Sequence, residues 1–142
     1  MAEASADRTD PSAYRHWVED HVRFADLDPL GHCNHAVISG FFESSRVALF
    51  QDAGLALLQG GTSLSVVRLV LEFRRELVLG DRVRAGGCVV RLGRTSVTLA
   101  NALFVGERCA ATAEVVGVLI DLGKRSPTEL PPGLRAGLSR FA

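Results

Sequence analysis

Apolar residues recur every three or four positions after residue 36. Ile38, Phe41, Phe42, Ser45, Leu49 and Ala53 form one stripe, and Val37, Val47 and Phe50 widen it. The pattern predicts a helix from Ala36 to Ala53 that is buried on most sides, since Glu43, Ser44, Arg46, Gln51 and Asp52 are its main polar interruptions. Asn34 suits the N-cap, and Gly54 suits the left-handed position that ends a helix. Beyond the helix the period changes to that of strands. Ser65–Leu79, Arg82–Leu92, Thr95–Val105 and Cys109–Leu122 are the predicted strands. The last is nearly all apolar from Val115 to Ile120, which suits a strand covered on both faces or one at a subunit junction. Ahead of the helix, Val18, Val22 and Phe24 suggest a first strand over His16–Asp26.

Short turns separate the later strands, at Gly80-Asp81, Gly93-Arg94 and Gly106-Glu107, so consecutive strands are expected to pair as an antiparallel meander. Residues 1–14 read as a disordered lead-in, and 15–142 as a single domain. The tail carries Pro127, Pro131 and Pro132 and is expected to be irregular, with one short helix beginning at Pro132. The fold class is α+β: an antiparallel sheet of about five strands with one long helix against its concave face. Sheet edges and a second face remain to be covered, which predicts a homo-oligomer.

Composition narrows the function. Sixteen basic and sixteen acidic residues cancel, leaving no footprint for nucleic acid or an anionic membrane. The three cysteines, Cys33, Cys88 and Cys109, lack motif spacing and read as reduced thiols. The first eleven residues contain no apolar signal segment, so the expected location is the cytoplasm.

The chemistry-bearing stretch is Asp26-Leu27-Asp28-Pro29-Leu30-Gly31-His32-Cys33-Asn34-His35, directly before the helix. Free amides in a helix's first turn favour negative charge, so a carboxylate here sits beside a ready oxyanion site. Asp28 as a mere turn former, as Asp before Pro often is, stands as the alternative. A metal set drawn from Asp26, Asp28, His32 and His35 is disfavoured, and the EF-hand likeness fails at Leu30 and Val37.

The pattern Phe24-x-Asp26-x-Asp28-x-x-Gly31-His32-x-Asn34, followed by Phe41-Phe42-Glu43-x-x-Arg46, resembles the 4-hydroxybenzoyl-CoA thioesterase family of the hotdog fold. Leu79-Gly80-Asp81, Leu92-Gly93-Arg94-Thr95-Ser96 and Arg125-x-Pro127-x-x-Leu130-Pro131 follow in the family's order. The resemblance implies an antiparallel sheet wrapped around a central helix, and hydrolysis of an acyl-CoA thioester to a free acid and CoA. It implies Asp28 as the catalytic carboxylate and the His35 backbone amide as the carbonyl-polarising donor. Gly31, His32 and Asn34 are further candidate site residues, with a plain loop histidine as the alternative for His32. CoA is substrate, so no separate cofactor and no metal are expected. Arg91, Arg94, Arg125 and Ser96 are candidate CoA contacts; a solvated basic surface explains the arginines equally well. The active site is expected at the junction of a homodimer or a dimer-of-dimers tetramer. Thioesters on a carrier protein, or acyl-CoA binding without catalysis, are the alternatives. Where many relatives carry two asparagines this chain has Asn34-His35, and where many carry a helix tyrosine it has Ile38.

Overall fold

The computed structural model describes residues 7–56 and 59–142. In chain order the elements are β1 (His16–His21), α1 (His35–Asp52), β2 (Thr62–Phe73), β3 (Arg82–Leu92), β4 (Ser96–Val105), β5 (Arg108–Asp121), β6 (Ser126–Pro127) and α2 (Pro132–Ser139). The strands form one antiparallel sheet in the order β1-β3-β4-β5-β2, with β6 added to β5. Among the described residues no helix is long and apolar enough to cross a membrane.

Helix α1 starts and stops where its sequence says. The Asn34 side chain accepts from the Ala36 amide at 2.8 Å. At the other end Leu55 N–H donates to the Phe50 carbonyl and Gly54 N–H to that of Gln51, with Gly54 at φ +102°. This is the Schellman arrangement that satisfies the last carbonyls of a helix. The predicted stripe is the buried one: Ile38, Phe41, Phe42, Ser45, Leu49 and Ala53 all lie inside.

Two apolar clusters divide the helix. Ile38, Phe41 and Phe42 pack on Val83, Ala85 and Leu103. Leu49 and Phe50 pack on Val97, Leu99 and Val115, together with Leu134 and Leu138 of α2. The sheet presents Gly87 at the crossing, where a Cβ would stand 3.2 Å from Leu49 Cδ1. On the opposite face, Tyr14 covers Gly86 and meets Trp17 and Phe104 edge-on.

Several expectations need correction. The first strand ends at His21, not Asp26. Phe24–Asp26 is a 3-10 turn that leaves Phe24 exposed, because the Asp26 carboxylate accepts from the Arg23 amide and closes the chain there. The strand expected over Ser65–Leu79 runs from Thr62 to Phe73, since the amides of Arg74 and Arg75 both turn to the Ala110 carbonyl. The meander holds only for β3, β4 and β5. β2 pairs with β5, because α1 carries the chain across the sheet before β2 begins. The helix is buried on one face only, with Gly40, Glu43, Ser44 and Val47 exposed. In β5, Val115, Gly117 and Leu119 are buried while Val116, Val118 and Ile120 are only half-buried. Of the lead-in expected over 1–14, residues 1–6 lie outside the described residues. Pro11–Ala13 forms a 3-10 turn and Tyr14 is buried.

The tail closes the C-terminal end of α1. A Cβ on Gly137 would run into the Ala53 carbonyl. Elsewhere in a helix Gly→Ala stabilises by roughly 0.5–1 kcal/mol. Here the sign should reverse. Gly137→Ala is expected to cost about 1–3 kcal/mol in thermal or urea unfolding; a stabilised variant would mean that α2 does not cross so closely.

Candidate active site

The loop before α1 is fixed from within. Asp28 N–H donates to the His32 carbonyl at 2.8 Å and Gly31 N–H to the Asp28 carbonyl at 3.0 Å. Gly31 adopts φ +80°, a conformation that glycine takes without steric cost. The Asp28 Oδ1 atom accepts from Leu30 N–H at 2.9 Å and His32 N–H at 3.2 Å. The turn-forming role of Asp28 is therefore real, and it uses one carboxylate oxygen. Both flanks are tied down, Cys33 N–H to the Leu77 carbonyl and Asn34 N–H to that of Asp26, each at 2.8 Å. Asp26 itself is buried and held below the usual carboxylate range, chiefly by the Arg23 backbone amide and then by the Arg23 guanidinium.

The first turn of α1 leaves one amide free. Ala36 N–H goes to the Asn34 side chain, and Val37 and Ile38 N–H go to the Asn34 carbonyl. His35 N–H has no acceptor among the described residues. It sits at the positive end of the helix, where a developing negative charge is stabilised.

These groups open onto one cavity of about 360 Å³, lined by Asp28, His32, His35, Ile38, Phe73 and Glu76 among others. The His35 ring stacks on Phe73, with centroids 3.9 Å apart and planes within 9°. His32 Nε2 lies 3.1 Å from Glu76 Oε2. Neither Gly nor Pro marks the end of β2, so the strand pattern runs on through Glu76, and Phe73, the last residue of the strand, carries no signal beyond a strand position. A larger groove of about 630 Å³ lies along Glu19, Asp20, Arg82 and Arg84, away from this loop.

Asp28, Gly31, His32, Asn34 and His35 are thus brought together by one loop and one helix start. Arg91, Arg94, Ser96 and Arg125 are not. They lie at the β3–β4 hairpin and in the tail, by the C-terminal end of α1, where Arg94 pairs with Glu129 at 2.7 Å and accepts from Leu130 N–H through its carbonyl. No group of three or more His, Cys, Asp and Glu side chains converges for a metal among the described residues.

Cys33 borders the site but is buried. Burial first, then the nearby Asp26 and Asp28 carboxylates, push its pKa up to about 11. A raised thiol pKa keeps sulfur protonated until the pH approaches that value, so at pH 7.5 only about 0.03% is thiolate. Cys33→Ala is expected to keep kcat within about twofold, and native protein to resist iodoacetamide at pH 7.5. Rapid labelling of Cys33 with parallel loss of turnover, followed by mass spectrometry, would contradict this.

The model of a family described as the thioesterase-like superfamily matches residues 22–138. The chain belongs to the thioesterase-like superfamily. It is a thioester hydrolase with the hotdog fold that the sheet and central helix describe. Among solved structures it is similar to a thioesterase from Thermus thermophilus complexed with coenzyme A and Zn, at 33% identity and TM-score 0.79, covering 89% of this chain and 92% of that one. It is similar to the PA5185 protein of Pseudomonas aeruginosa PAO1 at 28% identity and TM-score 0.86, covering 92% and 93%. A 1,4-dihydroxy-2-naphthoyl-CoA thioesterase from Synechocystis shares the fold at 18% identity and TM-score 0.79, covering 87% and 95%. No curated protein matches the sequence.

Proposed function

We propose that this hydrolase cleaves an acyl-CoA thioester to a carboxylic acid and CoA in the cavity at the start of α1. The observation that carries the reading is the unengaged His35 N–H beside Asp28 on one cavity wall. The thioester carbonyl oxygen takes the His35 amide, which stabilises it as it becomes an oxyanion. Asp28 keeps one oxygen for its loop and turns the other to the chemistry. It takes a proton from water as the water oxygen bonds to the acyl carbon, or it attacks that carbon itself to give an anhydride that water then opens. Either way the C–S bond breaks. No strong acid is needed, because thiolate is a good leaving group with a conjugate pKa near ~8.5. His32, paired with Glu76, lines the same cavity. Coenzyme A as the carrier is supported by the ligand of the Thermus relative.

The assembly we propose is a homodimer through β2, alone or doubled into a tetramer. Among the described residues one side of β2 pairs with β5 while the other is an open edge, and Val66, Val67, Leu69, Val70 and Phe73 remain exposed along the strand. An open apolar edge of this length invites a second copy. A two-fold axis through the middle of β2 would bring the partner's hairpin, with its copies of Arg91, Arg94, Ser96 and Arg125, toward the Asp28 cavity and the CoA phosphates.

The test is a panel of CoA thioesters followed with a thiol-detecting reagent, with carrier-protein thioesters alongside and the oligomer measured by light scattering. Thiol release from CoA esters by a dimer or tetramer is expected. Turnover confined to carrier-protein esters would contradict the CoA assignment, and tight binding without thiol release would contradict catalysis.

A further inference from the structure

The second half of α1 covers a second cavity, lined by none of the residues of the Asp28 cavity. It measures about 170 Å³ and lies between α1, the start of β2 and the inner faces of β4 and β5. Its walls are mainly apolar, with Phe50, Leu64, Val97, Leu99 and Val115 prominent. One strong donor lines it: Arg46, only 7% exposed. Glu43, three residues before Arg46 on the helix, does not pair with it. Glu43 is exposed on the rim, and Arg46 forms no ion pair among the described residues. Its buried Nη1 has no hydrogen-bond partner among the described residues.

A guanidinium stays charged at any ordinary pH, and a buried, unpartnered N–H leaves its desolvation cost unoffset. The missing element is an acceptor. A single planar cation matches a single carboxylate, whose oxygens meet its N–H groups side by side. A phosphate dianion would require more donors than this cavity offers. The apolar walls require hydrocarbon behind the anion.

We propose that the Arg46 cavity binds a short aliphatic chain ending in a carboxylate, with the anion on Arg46 and the chain along Phe50, Leu64 and Leu99. Arg46 lies about 16 Å along α1 from His35 at 1.5 Å per residue, so within one chain this is a site separate from the Asp28 cavity. Two sources share this chemistry: a free carboxylic acid, the class of product the hydrolase releases, and the ω-carboxylate of a dicarboxylic acyl group reaching across a dimer.

The test is calorimetric titration of the full-length protein with hexanoate and, separately, with 1-hexanol. Saturable hexanoate binding is expected, with no binding of the alcohol. Arg46→Met removes the cation while keeping a long apolar side chain, and should weaken hexanoate by at least about tenfold. Val47→Trp, placed at an exposed wall position, leaves Arg46 in place and should also block the site. Its thermal transition, with that of Arg46→Met, reports the fold. Comparing adipoyl-CoA with hexanoyl-CoA separates the sources. A preference for adipoyl-CoA that Arg46→Met abolishes identifies the acyl end as occupant, and equal turnover with intact hexanoate binding identifies the free acid. Wild-type protein that does not bind hexanoate, or equal binding by Arg46→Met, overturns the proposal. So does an oligomeric state that changes in Arg46→Met without any hexanoate binding, because a second copy would then supply the acceptor. The titration needs no turnover, so a failure of the acyl-CoA reading and a failure of this one are distinguishable.

Discussion

Asp28→Asn should lower kcat on the best thioester by about 10²–10⁴, the usual contribution of a positioned acid–base group. KM should stay close to wild type, because the carboxylate acts in the transition state more than in substrate binding. The fold should hold as well. An asparagine oxygen can keep the bonds that Asp28 Oδ1 makes with the amides of Leu30 and His32. Asp28→Ala removes those bonds together with the chemistry, and should add a stability loss of about 1–2 kcal/mol. The pair of variants therefore separates the two uses of one side chain. If Asn and Ala both keep wild-type turnover, Asp28 is a turn former only. If both lose stability equally, the Oδ1 bonds are not what holds the loop.

Phe42→Ala carries the largest expected cost to the fold. Phe42 is fully buried, and its ring fills the space between the first half of α1 and the strands that present Val83, Ala85 and Leu103. Removing a buried aromatic ring of this kind costs about 3–5 kcal/mol through lost transfer energy and the cavity left behind. For a domain of this size that corresponds to a fall in Tm of roughly 10–15 °C. The same ring seats the part of the helix that carries His35. A shift of about 1 Å at the helix start can lower kcat by up to about 10² even in the cold, where the variant stays folded. Thermal scans and low-temperature kinetics read both effects. A stability loss below about 1 kcal/mol would mean that α1 is not seated as described.

Helix α1 was legible because its caps are local. Asn34 and Gly54 act within two or three residues of themselves, and the stripe from Ile38 to Ala53 needs only a helical period. The same holds for β3, whose limits Arg82 and Leu92 lie next to turns with their own chemistry. The pairing of β2 with β5 was not legible. Strand order depends on where the helix carries the chain, and no residue in β2 records it. The site divides in the same way. Asp28, Gly31, Asn34 and His35 are near neighbours in sequence and could be read as a unit. Phe73 reaches the cavity from the last position of β2 and Glu76 from the loop after it, whose departure from the sheet is made by the Ala110 carbonyl of another strand. Arg46 is one of the few polar residues of the helix pattern, and nothing local marks it as buried; that follows from the tertiary fold, which places it at a cavity shared with β2, β4 and β5.

A crystal structure with a non-hydrolysable CoA thioether ketone, in which a methylene separates the carbonyl carbon from sulfur, would show where the acyl carbonyl sits relative to the start of α1. The expected placement has the ketone oxygen about 2.7–3.1 Å from His35 N, and the carbonyl carbon about 3–3.5 Å from an Asp28 oxygen or from a water that Asp28 holds. A ligand whose carbonyl lies elsewhere, with the His35 amide facing solvent and Asp28 engaged only with its own loop, would contradict it.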